Sequence, residues 1–204
     1  MAPYVDFVAL IPGHGPRTQA NWDPGAIGEV EEAVVVRDLC ARLLTELTAV
    51  GVDAAIFDAP KDSPMTEPLR QYGRRVRAGL RAAVNEGAVS VLVLHVHYNA
   101  GKGTHSLAFF DPGSASCKTL AGALAAAMAR WKPSKFTRAE PTTSSSGAAN
   151  LTATTWRESA AFKGLRTNCI VLEPWFVDAV GAKAEFTPER TSALARQLAG
   201  TIRG

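Results

Sequence analysis

Residues 89–96 read VSVLVLHV, an almost unbroken apolar run of strand length. A strand with one wet face alternates apolar and polar residues, so this run fits a central strand covered on both faces. Such a strand needs an apolar layer on each side, and the rest of the chain can supply both. Residues 5–11 (VDFVALI), 52–57 (VDAAIF), 106–110 (SLAFF) and 169–173 (CIVLE) read as further strands. Between them lie helical patterns. Over 32–50, Val35, Leu39, Leu43 and Leu47 recur every four positions, with Val36 and Cys40 beside them and Gly51 as the stop. Over 68–86, Leu69, Val76, Leu80 and Ala83 share a face and Gly87 ends the pattern. Leu120, Leu124 and Met128 mark a helix from Ser116 to Trp131. Thr187, Pro188 and Glu189 open a last one, which carries Leu194, Leu198 and Ile202. This alternation predicts a single-domain α/β fold: an open, mostly parallel, twisted sheet of about five or six strands with helices on both faces.

The chain has 204 residues, enough for one sizeable core. With 47% hydrophobic and 20% charged residues it reads as an ordinary soluble globular protein. No stretch approaches the roughly 18–20 apolar residues that span a bilayer, which predicts no membrane insertion. The N-terminal MAPYVDFVALIPGHG lacks a basic leader, so it is expected to be a first strand and not a signal peptide. Cys40, Cys117 and Cys169 have no metal spacing and are expected to be reduced, packed thiols of a protein made in the cytoplasm. The net charge of +3 permits an anionic partner without naming one. No P-loop, dinucleotide fingerprint, Ser-His-Asp arrangement or aromatic-studded RNA surface is present, so no nucleotide or nucleic acid is expected. Residues 142–155, TTSSSGAANLTATT, are small and polar and are expected to form a flexible surface loop.

The chemistry-bearing residues gather at predicted strand ends. The four histidines are His14, His95, His97 and His105. His14 follows the first strand, in PGHG. His95 and His97 end the central strand, where a period of two puts both on one face. In open α/β sheets ligands collect outside the carboxyl ends of the strands. The stretch GEVEEAVVV adds Glu29, Glu31 and Glu32 near a helix start. Two imidazoles and one carboxylate make a three-ligand zinc site that leaves a fourth position for water, the arrangement of a catalytic site. Glu31 and Glu32 point about 100° apart on a helix. Glu32 lies three residues before Val35 and seven before Leu39, so it shares the buried stripe and is chosen as the ligand. Glu31 is the alternative, and Glu29 is read as a capping residue.

The order PGHG, DPGA, a helix-start Glu, HYNA and VLEPWF resembles the zinc-dependent N-acetylmuramoyl-L-alanine amidases of the amidase-3 type, over about Ile11 to Phe176. The resemblance implies a zinc site of His14, Glu32 and His97, the last because Asn99 completes the family's His-x-Asn pattern. It also implies that Glu173 is the catalytic acid and base. Two positions depart from the family. His95 stands where a small residue is common, and is read as orienting a ligand or the water, or as the alternative ligand to His97. His105 stands where a glutamate is frequent, and is read as either near the substrate or a solvated strand-edge residue. Trp175 and Phe176 are expected to be packing residues.

The implied activity is zinc-dependent hydrolysis of the amide between N-acetylmuramic acid and L-alanine in peptidoglycan. The absence of an export signal and of a wall-binding module predicts an endolysin-like phage enzyme. Such an enzyme is made in the cytoplasm and acts on the wall after release. A bacterial wall-remodelling amidase, another zinc peptidase or deacylase, and a non-catalytic wall-binding relic are the alternatives. Arg70, Arg74, Arg77 and Arg81 form a stripe on the second helix, read first as a solvated face and second as a contact to anionic wall polymers.

Overall fold

The first strand, β1 (Phe7–Pro12), is apolar along its length and lies between two parallel neighbours. The computed structural model describes residues 5–16, 22–57, 78–110, 112–134, 136–141 and 166–204. After β1 come a short antiparallel pair, β2 (Gly15–Pro16) and β3 (Trp22–Asp23), then helix α1 (Glu32–Ala49) and β4 (Asp53–Ile56). Helix α2 covers 78–85 and leads to β5 (Ser90–Val96). The chain continues through β6 (Leu107–Phe110), α3 (Ala115–Trp131), β7 (Arg138–Pro141) and β8 (Arg166–Glu173). It closes with the short α4 (Ala182–Glu185) and α5 (Pro188–Arg203). The sheet order is β4-β1-β5-β8-β6-β7, parallel throughout except for the β6/β8 pair.

This is the predicted open, mostly parallel sheet of six strands, covered on both faces. One face carries α1, α3 and α5: Leu39, Leu43, Leu120, Leu124, Leu194 and Leu198 pack with Val8, Leu10, Leu92, Leu94 and Ile170 in one cluster. The other face carries α2, where Leu80 packs on Ala9, Ile11, Val91 and Val93. Leu92, Val93 and Leu94 are all fully buried, as the apolar run required. A buried leucine contributes roughly 1.5–3 kcal/mol relative to an exposed one, so this run anchors the fold.

The helix limits follow local chemistry. Gly51 adopts φ +77° and donates to Thr48 O just past α1. Ser114 caps α3 by accepting from Cys117 N, and Thr187 caps α5 by accepting from Arg190 N, with Pro188 in the first turn. Strand β7 escaped the sequence reading because RAEP has no apolar alternation; it is an edge strand ending in proline. Of the predicted 68–86 helix only 78–86 falls in the described residues, helical over 78–85, so Leu69, Val76, Arg70, Arg74 and Arg77 lie outside them, as does the 142–155 segment. Arg81 is exposed on α2. The three cysteines are buried thiols, and none is in a disulfide among the described residues. Among the described residues, no helix is long and apolar enough to cross a membrane.

The topology sets the place for a site. From β1 the chain crosses by α1 to β4 on one side, then by α2 to β5 on the other side. The carboxyl ends of β1 and β5 therefore flank a topological switch point, where open α/β sheets form ligand crevices.

Candidate metal and catalytic site

Three adjacent parallel strands, β1, β5 and β8, end on one edge of the sheet, and each delivers a side chain there. His14 comes two residues after β1, His97 directly after β5, and Glu173 is the last residue of β8. Glu32 reaches the same place from the first turn of α1.

Backbone contacts hold these loops in position. Gly13 N donates to Val96 O at 2.8 Å and His97 N to Leu172 O at 2.8 Å. Gly13 of PGHG and Gly25 of DPGA each have a steric reason to be glycine. A Cβ on Gly13 would lie 2.2 Å from the His97 ring, so that imidazole packs directly on the backbone. Gly25, in DPGA, has φ +65°, and a Cβ there would lie 2.7 Å from both Glu32 Oε2 and the His14 ring. The two glycine motifs thus make room for three clustered side chains.

His14, Glu32 and His97 each turn one ligand atom into a group no wider than 4.8 Å. Glu32 Oε1 is 3.4 Å from His14 Nε2 and 3.2 Å from His97 Nδ1. Two donors about 2.1 Å from a tetrahedral zinc stand about 3.4 Å apart, so the donor set and its spacing fit that ion. Glu32 is buried, and its carboxylate also accepts from Ala26 N at 2.9 Å and Tyr98 N at 3.0 Å. Burial pushes its pKa up, but the His97 hydrogen bond, Ala26 N–H, the His14 charge and Tyr98 N–H outweigh it and hold the carboxyl below its ordinary value. Glu31 lies outside this group and serves as the N-cap of α1, without a side-chain capping bond. Glu29 is a capping residue, as read from the sequence, but of a helix distant in the chain. It caps α4, not α1, accepting from Gly181 N and Lys183 N, because the 26–31 segment folds back against residues 177–183.

Glu173 stands in a different setting. Burial, then the charges of Glu32 and Glu140, push its carboxyl up to about 7. Asn99 Nδ2 donates to its Oε2 at 2.8 Å, while Asn99 Oδ1 accepts from Ala100 N. That second bond fixes which end of the amide faces the carboxylate. The Asn99 backbone is clamped as well, by N–H to Trp175 O and C=O from Val177 N. Glu140 was missed in the sequence because it sits in the pattern-free strand β7, where it pairs with Arg138.

His95 lies outside the three-atom group; its Nε2 is 3.1 Å from His97 Nε2, with the rings edge-on at 4.4 Å. His105 stacks edge-on against Phe176 at 4.9 Å and takes no part in the group. Trp175 and Phe176 are buried packing residues, as expected.

The fold and this edge cluster define an α/β domain with a His/Glu/His donor set beside a carboxylate of raised pKa. No family model matches the sequence, and no curated protein matches it. Solved structures do share its fold. The catalytic domain of the CD27L endolysin targeting Clostridia difficile superposes with a TM-score of 0.70 at 14% identity, covering 96% of each chain. The N-acetylmuramoyl-L-alanine amidase from Clostridium difficile 630 gives 0.63 at 16% identity, over 99% of this chain and 96% of that one. AmiC2, the N-acetylmuramoyl-L-alanine amidase of Nostoc punctiforme, gives 0.63 at 15% identity, over 96% and 94%. The fold is that of the N-acetylmuramoyl-L-alanine amidases, as the motif order implied.

Proposed function

We propose that this chain is a zinc-dependent N-acetylmuramoyl-L-alanine amidase that cleaves the lactyl–L-alanine amide of peptidoglycan, in an endolysin-like role after release from the cytoplasm. The observation that carries the reading is the pairing of a zinc-compatible His14/Glu32/His97 group with the near-neutral Glu173 on one sheet edge. The likeness to an endolysin domain supports the lytic role. His14, Glu32 and His97 would hold the zinc, which when bound would supply Lewis acidity to acidify a water and polarise the amide carbonyl.

The chain's own residues do the rest. Glu32, fixed by Ala26 N–H and Tyr98 N–H, keeps a negative charge against His14 and His97 and sets the geometry of the donor group. Glu173 takes a proton from the attacking water and delivers it to the leaving nitrogen. A carboxyl near 7 can do both, since its two protonation states are close in energy at neutral pH. Asn99 holds Oε2, which leaves Oε1 to exchange the proton. The Arg81 end of the basic stripe is exposed, which suits electrostatic contact with anionic wall polymers.

Purified muropeptide tests this reading. The expected products are a new amine at L-alanine with glycan reducing ends unchanged. Chelation should stop the reaction and added zinc restore it. New reducing ends, a different amide cleaved, or chelator-resistant turnover would each contradict the proposal.

A further inference from the structure

We propose that His95 is a positioning residue that selects which nitrogen of His97 faces the cation, by accepting a proton from His97 Nε2 when the His14/Glu32/His97 group is loaded. The inference rests on reading that group as a metal site and adds a residue outside it.

With both rings neutral, the contact between His97 and His95 has two arrangements. His97 has both ring nitrogens engaged: Nδ1 at 3.2 Å from Glu32 Oε1, and Nε2 at 3.1 Å from His95 Nε2. A neutral imidazole carries one N–H, and between two nitrogens in contact only one holds the proton. In the first arrangement His95 donates to His97 Nε2, and His97 donates from Nδ1 to Glu32. Both hydrogen bonds are made with no cation present. In the second, His97 donates from Nε2 to His95, and its Nδ1 lone pair faces Glu32 Oε1 and the His14 side of the group. A lone pair against a carboxylate oxygen is repulsive until a cation lies between them. Loading therefore exchanges the first arrangement for the second. Each ring keeps one proton: His97 moves its own from Nδ1 to Nε2, and His95 moves its own from Nε2 to Nδ1.

A metal-bound imidazole normally donates its distal N–H to a carboxylate, a carbonyl or water, and that partner fixes the ring. Here the partner is a second imidazole on the same strand face. The strand makes it a firm one. His95 lies in β5 between Ile11 of β1 and Val171 of β8 in register, and its sequence neighbours Leu94 and Val96 are buried. His97 is held from the other side by the backbone of Gly13. The two rings meet at 61°, which lets the edge of one present its nitrogen to the other.

Zinc affinity, measured on the full chain by competition with a chelator, tests the proposal without reference to turnover. His95→Ala should bind zinc roughly 10–100-fold more weakly than wild type. His95→Gln, whose amide oxygen reaches the place of Nε2 and can only accept there, should recover most of the loss. Imidazole ¹⁵N spectra of the wild-type protein give a second readout that needs no variant to fold. His97 should carry its proton on Nδ1 without metal and on Nε2 with zinc, and His95 the reverse. Wild-type affinity in His95→Ala, or a His97 tautomer that zinc leaves unchanged, would overturn the role of His95 alone. A wild-type protein that takes up no zinc would overturn the metal-site reading and this inference with it.

Discussion

Glu32 and Glu173 lie on the same edge of one sheet, and their surroundings drive them in opposite directions. Around Glu32, two backbone N–H groups and two imidazoles converge on a buried carboxylate and hold it ionised. Around Glu173, burial dominates, two further carboxylates add repulsion, and the Asn99 amide supplies a hydrogen bond. The result is one carboxyl below its ordinary value and one raised to about 7. Paired groups whose environments separate their pKa values divide the labour of a site: the firmly ionised one suits a fixed cation, the near-neutral one suits moving protons. The difference arises from position. Glu32 is in the first turn of α1, where N–H groups of Ala26 and Tyr98, from segments outside the helix, and two imidazoles reach its carboxylate. Glu173 is at a strand end beside the β6/β7 edge, where Glu140 is brought in by β7.

Breaking the Glu32 side has the largest expected effect. Glu32→Gln or His97→Ala should lose bound zinc and, with it, essentially all turnover, as read by metal analysis and muropeptide assay. Full zinc in His97→Ala together with loss in His95→Ala would reassign the ligand. On the other side, Asn99→Ala should keep zinc and lower turnover by roughly 10–100-fold, the value of a hydrogen bond to a charged group. Loss of zinc in that variant would show that the two halves are not separable.

Stability of the chelated protein sharpens the contrast, because the two carboxylates carry opposite signs. The Glu173 carboxyl rises from 4.5 to about 7 on folding, so its charge is disfavoured in the folded state. Its cost is absent below about pH 4.5, grows as pH rises toward about 7 and is constant above. Glu173→Gln should therefore stabilise the metal-free protein near pH 8, by on the order of 1–3 kcal/mol, and the gain should vanish near pH 4. Glu32 is lowered on folding, so its stabilising contribution is present above the ordinary carboxylate range and is lost as pH falls through its folded value. Glu32→Gln should accordingly destabilise the protein near neutrality, with the difference shrinking in acid. Denaturant titrations across this pH range would read both; equal signs would contradict the opposed environments.

Much of this was legible in the sequence, and the reasons are physical. The run VSVLVLHV specified a strand covered on both faces, and every-fourth leucines specified the helices that cover it. Periodicity also separated Glu32 from Glu31, since only the former shares a stripe with Val35 and Leu39. Contacts between distant segments were not legible. Nothing local in RAEP announces that Glu140 will sit near Glu173, and nothing in GEVEE tells that Glu29 will cap a helix some 150 residues later. The contact of His95 with His97 follows from their spacing on a strand, but its direction depends on Gly13 and Glu32 on the far side of His97.

The central claim is that Glu173 moves protons without holding the metal, and Glu173→Gln measures it directly. This change keeps the shape of the side chain and removes its ability to cycle a proton. The account predicts about one zinc per chain, an unaltered fold, and turnover of muropeptide reduced by roughly 10²–10⁴. A Glu173→Gln protein that binds one zinc and still cleaves the amide at near wild-type speed would contradict it.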